Sequence, residues 1–103
     1  MTRRTRQRDF PPIHPGEVLG EDFLKPLGLS QYALAQAVGV SQIRISEVLR
    51  GRRAITPDTA LRLARNFGTS AEFWITMQAT HDLMVARESI GAEIERVVSP
   101  RAA

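Results

Sequence analysis

Between Ser41 and Arg53 the chain concentrates side chains that make directed hydrogen bonds without performing covalent chemistry: Gln42, Arg44, Ser46, Glu47, Arg50, Arg52 and Arg53. A glutamine amide can donate to and accept from an adenine at once, and an arginine can grip a guanine through paired N–H groups or hold a phosphate. Ile43, among them, can meet a thymine methyl group. Glu47 has two readings, accepting from cytosine or orienting Arg44 or Arg50. Gln31 falls where a second helix should begin, a position at which amide and backbone N–H groups commonly meet phosphate. The candidate DNA-binding set is therefore Gln31, Ser41, Gln42, Ile43, Arg44, Ser46, Glu47, Arg50, Arg52 and Arg53. Within it, the outward residues of the helix from Ser41 would read bases, while Gln31 and Arg50 to Arg53 would hold the backbone and carry no sequence information. A solvated basic loop is the competing reading of the arginine cluster.

No comparable constellation points to catalysis. Cysteine is absent, which removes disulfides, thiolate metal sites and a catalytic thiol. The two histidines, His14 and His81, lie in separated segments without metal-ligand spacing. His14 suits a place at or just before the start of the first helix. His81 falls beside Trp74 and Met77 and reads as a packed interface residue, with Asp82 as its solvated partner. The expectation is a binding protein with no enzymatic activity, no cofactor and no metal.

The reading residues need two helices crossing through a very short turn. The segment from Gln31 to Arg50 carries the residue types for that: Ala35, small where the second helix passes; Gly39, permitting positive φ; Val40, burying itself after the turn; Ile45 and Val48, fastening the second helix to a core. A helical hairpin that never touches DNA could share Gly39 but has no need of the other four. Around this segment the chain reads as all-α with five helices. Pro15 and Glu17 suit the first turn of helix 1, which should end near Leu24, before Pro26. Ser30 caps helix 2, with Leu34, Ala35 and Val38 inward, ending at Gly39. Ser41 caps helix 3, which stops at Gly51. Thr56-Pro57 opens helix 4, with Ala60, Leu61, Ala64 and Phe67 inward and Gly68 as its stop.

From Ser70 to about Ser89 the helical pattern has two apolar sides. Phe73, Trp74, Met77, Met84 and Val85 form one, and Ile75, Ala79, Leu83, Ala86 and Ile90 the other. The first can face the domain's own core and the second a second subunit, so Ile75, Ala79, Leu83, Ala86 and Ile90 are the candidate dimer interface. A helix enclosed by residues 91–98 is the alternative. A dimer would present two reading helices to successive major grooves.

At 103 residues one compact domain is expected. The organisation is a flexible basic arm over 1–12, a DNA-binding and dimerisation domain over 13–90, and a C-terminal extension over 91–103. A hydrophobic content of 43% is ordinary for a globular chain. The net charge of +3 favours an acidic partner, and its placement says more, since Arg3, Arg4, Arg6 and Arg8 crowd the amino-terminal arm. That arm reads first as a disordered solubilising tail, then as a DNA arm or a partner-binding segment. No apolar run suits a secretory signal or a membrane span, so the expectation is a cytoplasmic protein without membrane association.

Three runs extend the pattern beyond the motif: Ile13-His14-Pro15-Gly16-Glu17, Leu27-Gly28-Leu29-Ser30-Gln31 and Gly51-Arg52-Arg53-Ala54-Ile55-Thr56. With Asp58 to Ala64 and Phe67 to Trp74 they give a chain that resembles the HigA antitoxins of the XRE/Cro repressor-like helix-turn-helix family, over about residues 13–87. The resemblance implies a five-helix repressor-like fold with a long C-terminal dimerisation helix. It also implies a homodimer that represses its own operon by binding double-stranded operator DNA, and that binds and neutralises a HigB-type messenger RNA endonuclease toxin. A free-standing regulator of the same family, with no toxin partner, is the alternative. The run Ser41-Gln42-Ile43-Arg44-Ile45-Ser46 is where members differ, so no operator sequence carries over.

Overall fold

In a computed structural model, residues 11–102 are described. The expected basic arm lies outside them, apart from Pro11 and Pro12. Among the described residues there is no strand, and the helices number five when the first is taken as one continuous stretch. Helix α1 comprises an α-turn at Pro15–Val18, a π-helical segment at Leu19–Leu24 and a last turn at Lys25–Leu27. Helix α2 is Gln31–Val38, α3 is Gln42–Leu49, α4 is Pro57–Phe67 and α5 is Ala71–Val97.

Side chains start every helix. His14 Nδ1 accepts from the Gly16 N–H at 2.9 Å. Ser30, Ser41 and Ser70 hydroxyls each accept from an N–H three residues on, at 3.0, 3.1 and 3.0 Å. Thr56 does the same for α4 at 3.5 Å. Each such contact satisfies one of the amide donors that a helix start leaves unpaired.

Two helix ends differ from the sequence expectation. Helix α1 does not stop at Leu24 but carries Pro26 inside its last turn. The π segment makes this possible: Lys25 N–H donates five residues back to Gly20 O, so the backbone has left the register in which proline would meet the carbonyl four residues earlier. Helix α5 runs through Val97, so the border placed at residue 90 falls inside a continuous helix. The continuation is made mostly of good helix formers, with an Arg96–Glu93 pair at 2.6 Å, and Gly91 alone does not break it.

The core is sealed by Trp74, which is fully buried. Its ring packs against Phe23 and Phe73 at centroid distances of 5.1 and 5.0 Å, and its Nε1–H donates to Thr69 Oγ1 at 2.9 Å. A buried tryptophan usually gives that N–H a partner, since an unpaired buried donor is costly. Leu19 and Leu24 of α1, Leu34, Ala35 and Val38 of α2, Ile45 and Val48 of α3, Ile55, and Ala60 and Leu63 of α4 complete the cluster. Leu61, expected inward, is 63% exposed, because Ala60, Leu63 and Phe67 define the buried stripe at helical spacing and Leu61 points off it. Ile75 likewise packs against the core beside Trp74 instead of lying wholly on the opposite side of α5. The inner side of α5 is Ala71, Trp74, Ile75, Met77 and Gln78.

Helix α1 crosses α3 at Gly16, which is buried, and a Cβ there would overlap the Val48 carbonyl oxygen. Backbone cannot yield as a flexible side chain can. The expected outcome for Gly16→Ala is a loss of about 1–3 kcal/mol, the usual cost of overpacking. Thermal denaturation would show it as a melting temperature lower by about 4–8 °C for each kcal/mol. An unchanged melting temperature would mean that α1 and α3 are not in contact as described.

Candidate nucleic-acid interface

Helices α2 and α3 are joined by Gly39, Val40 and Ser41. Gly39 has φ of 75°, in the left-handed region, and its N–H returns to Ala35 O at 2.9 Å, as does that of Val40 at 3.1 Å. Ala35 is buried and Val40 is half-buried against the core, as the motif requires. The turn leaves the last carbonyls of α2 without helical partners. Arg62 of α4 supplies them, donating Nη1 to Val38 O at 2.7 Å and to Gly39 O at 3.2 Å.

The same arginine donates Nε to Asp58 Oδ2 at 3.1 Å. That oxygen also accepts from Arg44 Nη1 of α3 at 2.6 Å. One network therefore runs from the turn through α4 to α3. The hydrogen bond from Arg44, then that from Arg62, holds the Asp58 carboxyl below the ordinary carboxylate range. Neither Asp58 nor Arg62 stood out in the sequence for this role, although their spacing of four residues on one helix was a signal for the Asp58–Arg62 half of it.

The candidate reading residues divide into two groups. Gln42 and Ile43 are exposed, Ile43 at 68%, and their side chains make no hydrogen bond among the described residues. Arg50 and Arg52 are also exposed, and Gln31 is half-buried at the first position of α2. The others are engaged. Ser41 caps α3 with its hydroxyl, Ser46 is half-buried, and Arg44 is tied back to Asp58 and, at 3.4 Å, to Thr59 Oγ1. Glu47 orients neither Arg44 nor Arg50. It accepts from Arg53 Nε at 2.8 Å, because the chain reverses at Gly51 and brings Arg53 back alongside α3. Loop and helix are locked further at Ile55, whose N–H donates to the buried Gln78 Oε1 of α5 at 2.7 Å. Gln78 was overlooked in the sequence, where a polar residue at an inward helical position was its only mark.

A helix-turn-helix family model matches residues 21–74, more than half of the chain. The chain belongs to the helix-turn-helix family, in its HigA antitoxin group. Virulence-associated protein I of Dichelobacter nodosus is 52% identical over 82 residues, covering 80% of this chain and 76% of that one. Antitoxin HigA-1 of Vibrio cholerae is 35% identical over 95 residues, covering 92% and 87% of the two chains. The structure of the Pseudomonas aeruginosa antitoxin HigA with the higBA promoter superposes with a TM-score of 0.86 at 41% identity, covering 88% of this chain and 99% of that one. Two of these three are named as antitoxins, and a further relative from Escherichia coli, 32% identical over 95 residues, is named as a helix-turn-helix transcriptional regulator.

No group of three or more metal-ligating side chains could hold an ion among the described residues. No described helix is long and apolar enough to cross a membrane. The histidines, distant in sequence, are neighbours in space, with ring centroids 4.9 Å apart in an edge arrangement. His81 Nδ1 lies 3.1 Å from Asp82 Oδ1, which also accepts from Gln78 Nε2 at 3.0 Å. Asp82 is the solvated partner expected of it, 59% exposed, and is also a shared acceptor: the His81 hydrogen bond chiefly lowers its pKa, burial opposes this, and Gln78 adds a lesser lowering. His14 titrates below its ordinary value of 6.5: burial is the main cause, the His81 charge adds to it, and Asp82 opposes it.

Protonating His14 would also place a hydrogen on the Nδ1 that accepts from Gly16. Because its folded pKa is lowered, its stabilising contribution is complete above pH 6.5 and is lost as pH falls below that value toward the folded pKa. The expected outcome is a melting temperature that declines as pH falls below 6.5, with a shallower decline in His14→Asn, which keeps a capping acceptor without the titration. Identical pH profiles for the two proteins would remove His14 from this role.

Proposed function

We propose that this chain is the antitoxin of a type II toxin–antitoxin pair, which binds its operator as a homodimer through α3 and neutralises a HigB-type messenger RNA endonuclease by direct contact. The observation that carries the DNA half is the exposed amino-terminal end of α3. Gln42 and Ile43 face solvent there, on a helix held by Arg62 at the turn and by Asp58 on its flank. Arginines at positions 50, 52 and 53 border it and suit phosphate. Kinship with the Pseudomonas antitoxin solved with its promoter supports the same docking. The toxin half rests on membership of the HigA group.

The dimer half rests on α5. With Ile75 assigned to the core, Ala79, Leu83, Ala86 and Ile90 remain as an apolar stripe, and it continues through Ile94 and Val97 at helical spacing. Leu83, Ile90, Ile94 and Val97 are 52%, 49%, 46% and 58% exposed. Pairing such stripes would give the molecule two α3 helices to present, and helix-turn-helix dimers bind half-sites about 34–36 Å apart.

For DNA, Gln42→Ala is expected to lower the ratio of operator to scrambled-duplex affinity by about tenfold or more, since a bidentate base contact discriminates by about 1–3 kcal/mol. Fluorescence anisotropy with the duplex upstream of the gene measures this, and an unchanged ratio would take base reading away from Gln42. For the dimer, Leu83→Glu combined with Ile90→Glu is expected to give a monomer in analytical ultracentrifugation with melting behaviour retained. A wild-type monomer at micromolar concentration would defeat the α5 interface. Co-purification of a small basic protein encoded beside the gene separates the antitoxin from a free-standing regulator.

A further inference from the structure

Arg44 has a long side chain on the third residue of α3, at the depth where a recognition helix meets base edges. Left to itself, such a side chain would sample many directions and would find the nearest phosphate as readily as a base. Here it is held. Its Nη1 donates to Asp58 Oδ2 at 2.6 Å and to Thr59 Oγ1 at 3.4 Å, and its side chain is 30% exposed. The Nε–Nη2 edge, two parallel N–H groups, makes no hydrogen bond among the described residues. Asp58 is itself held from the other side by Arg62 Nε at 3.1 Å, while Arg62 Nη1 is fixed on the carbonyls of Val38 and Gly39. The direction of Arg44 is thereby referenced to the turn between α2 and α3.

Resting on the reading of α3 as the DNA-reading helix, the geometry points to Asp58 as a positioning residue that makes Arg44 a reader of guanine. One nitrogen of the guanidinium is committed to the carboxylate, and the remaining two-donor edge matches the O6 and N7 acceptors that guanine shows in the major groove. The carboxylate also repels phosphate, which discourages Arg44 from settling on the DNA backbone of any sequence. Asp58 contributes to specificity without touching a base.

The test uses the full chain, the duplex upstream of its own gene and a scrambled duplex of equal length, with affinities measured at several salt concentrations. In Asp58→Asn the ratio of operator to scrambled affinity is expected to fall about tenfold, with scrambled-duplex binding strengthened. The slope of log affinity against log salt is expected to steepen by about 0.9 as the released Arg44 gains a phosphate. In an Arg44→Ala background, Asp58→Asn is expected to leave the ratio unchanged. Arg44→Lys, which keeps the charge and one bond to Asp58 but lacks the two-donor edge, is expected to lose discrimination while keeping the wild-type salt slope. An unchanged ratio in Asp58→Asn, an equal fall in the Arg44→Ala background, or full discrimination by Arg44→Lys would each overturn the role assigned to Asp58. Failure of the wild type to distinguish the two duplexes would instead overturn the DNA-reading function on which it rests.

Discussion

An eight-residue helix is marginal in water, because the cost of nucleating it is recovered only over many further turns. Helices α2 and α3 each have eight residues, so what keeps them formed is the apolar surface they bury together. Leu34, Ala35 and Val38 from one and Ile45 and Val48 from the other meet a floor supplied by Leu63 of α4 and Trp74 of α5. The same burial fixes which residues remain outside. Once Ile45 and Val48 are inward, helical geometry leaves Gln42 and Ile43 facing solvent, so the surface proposed to meet DNA is a consequence of the core.

Polar contacts then refine what packing permits. The turn exposes carbonyls that α2 cannot satisfy, and a buried or half-buried unpaired carbonyl is costly. Arg62 answers that requirement and, with its other nitrogen, takes hold of Asp58. Gln78 plays the matching part on the opposite side, joining the Ile55 N–H to Asp82 and so to the histidine pair. Both residues lie on helices outside the two-helix motif. The motif is legible over twenty residues, but the groups that hold it still are spread from Ile55 to Asp82.

Local features were readable in the sequence because they depend on neighbours in the chain. The hydroxyl caps at Ser30 and Ser41, the helix start at Thr56-Pro57, the left-handed turn at Gly39 and the small Ala35 all follow from rules that act over four or five residues. What could not be read depends on three-dimensional placement. Proline in a helix is ordinarily a stop, and only the π register of α1 shows why Pro26 is not. Leu61 and Leu63 are chemically identical, and which one is inward is decided by the phase at which α4 docks. Ile75 lies at the border of the two faces of α5, where a small rotation transfers it from one to the other. Arg44 and Glu47 were recognised as polar and outward, but their partners Asp58 and Arg53 come from different segments, and nothing in the linear order pairs them.

The length of α5 gives the molecule a scale. At a rise of about 1.5 Å per residue, its 27 residues make a rod about 40 Å long, whose first turns are embedded in the core and whose remainder projects beyond it. Ile55 is pinned to this rod at Gln78, so the loop bearing Arg50, Arg52 and Arg53 moves with it. In a dimer built on the projecting part, the rod acts as a caliper. The separation of the two arginine loops would be set by where the rods cross, and moving that crossing by one helical turn would alter the operator spacing the protein accepts without changing a single residue that touches DNA.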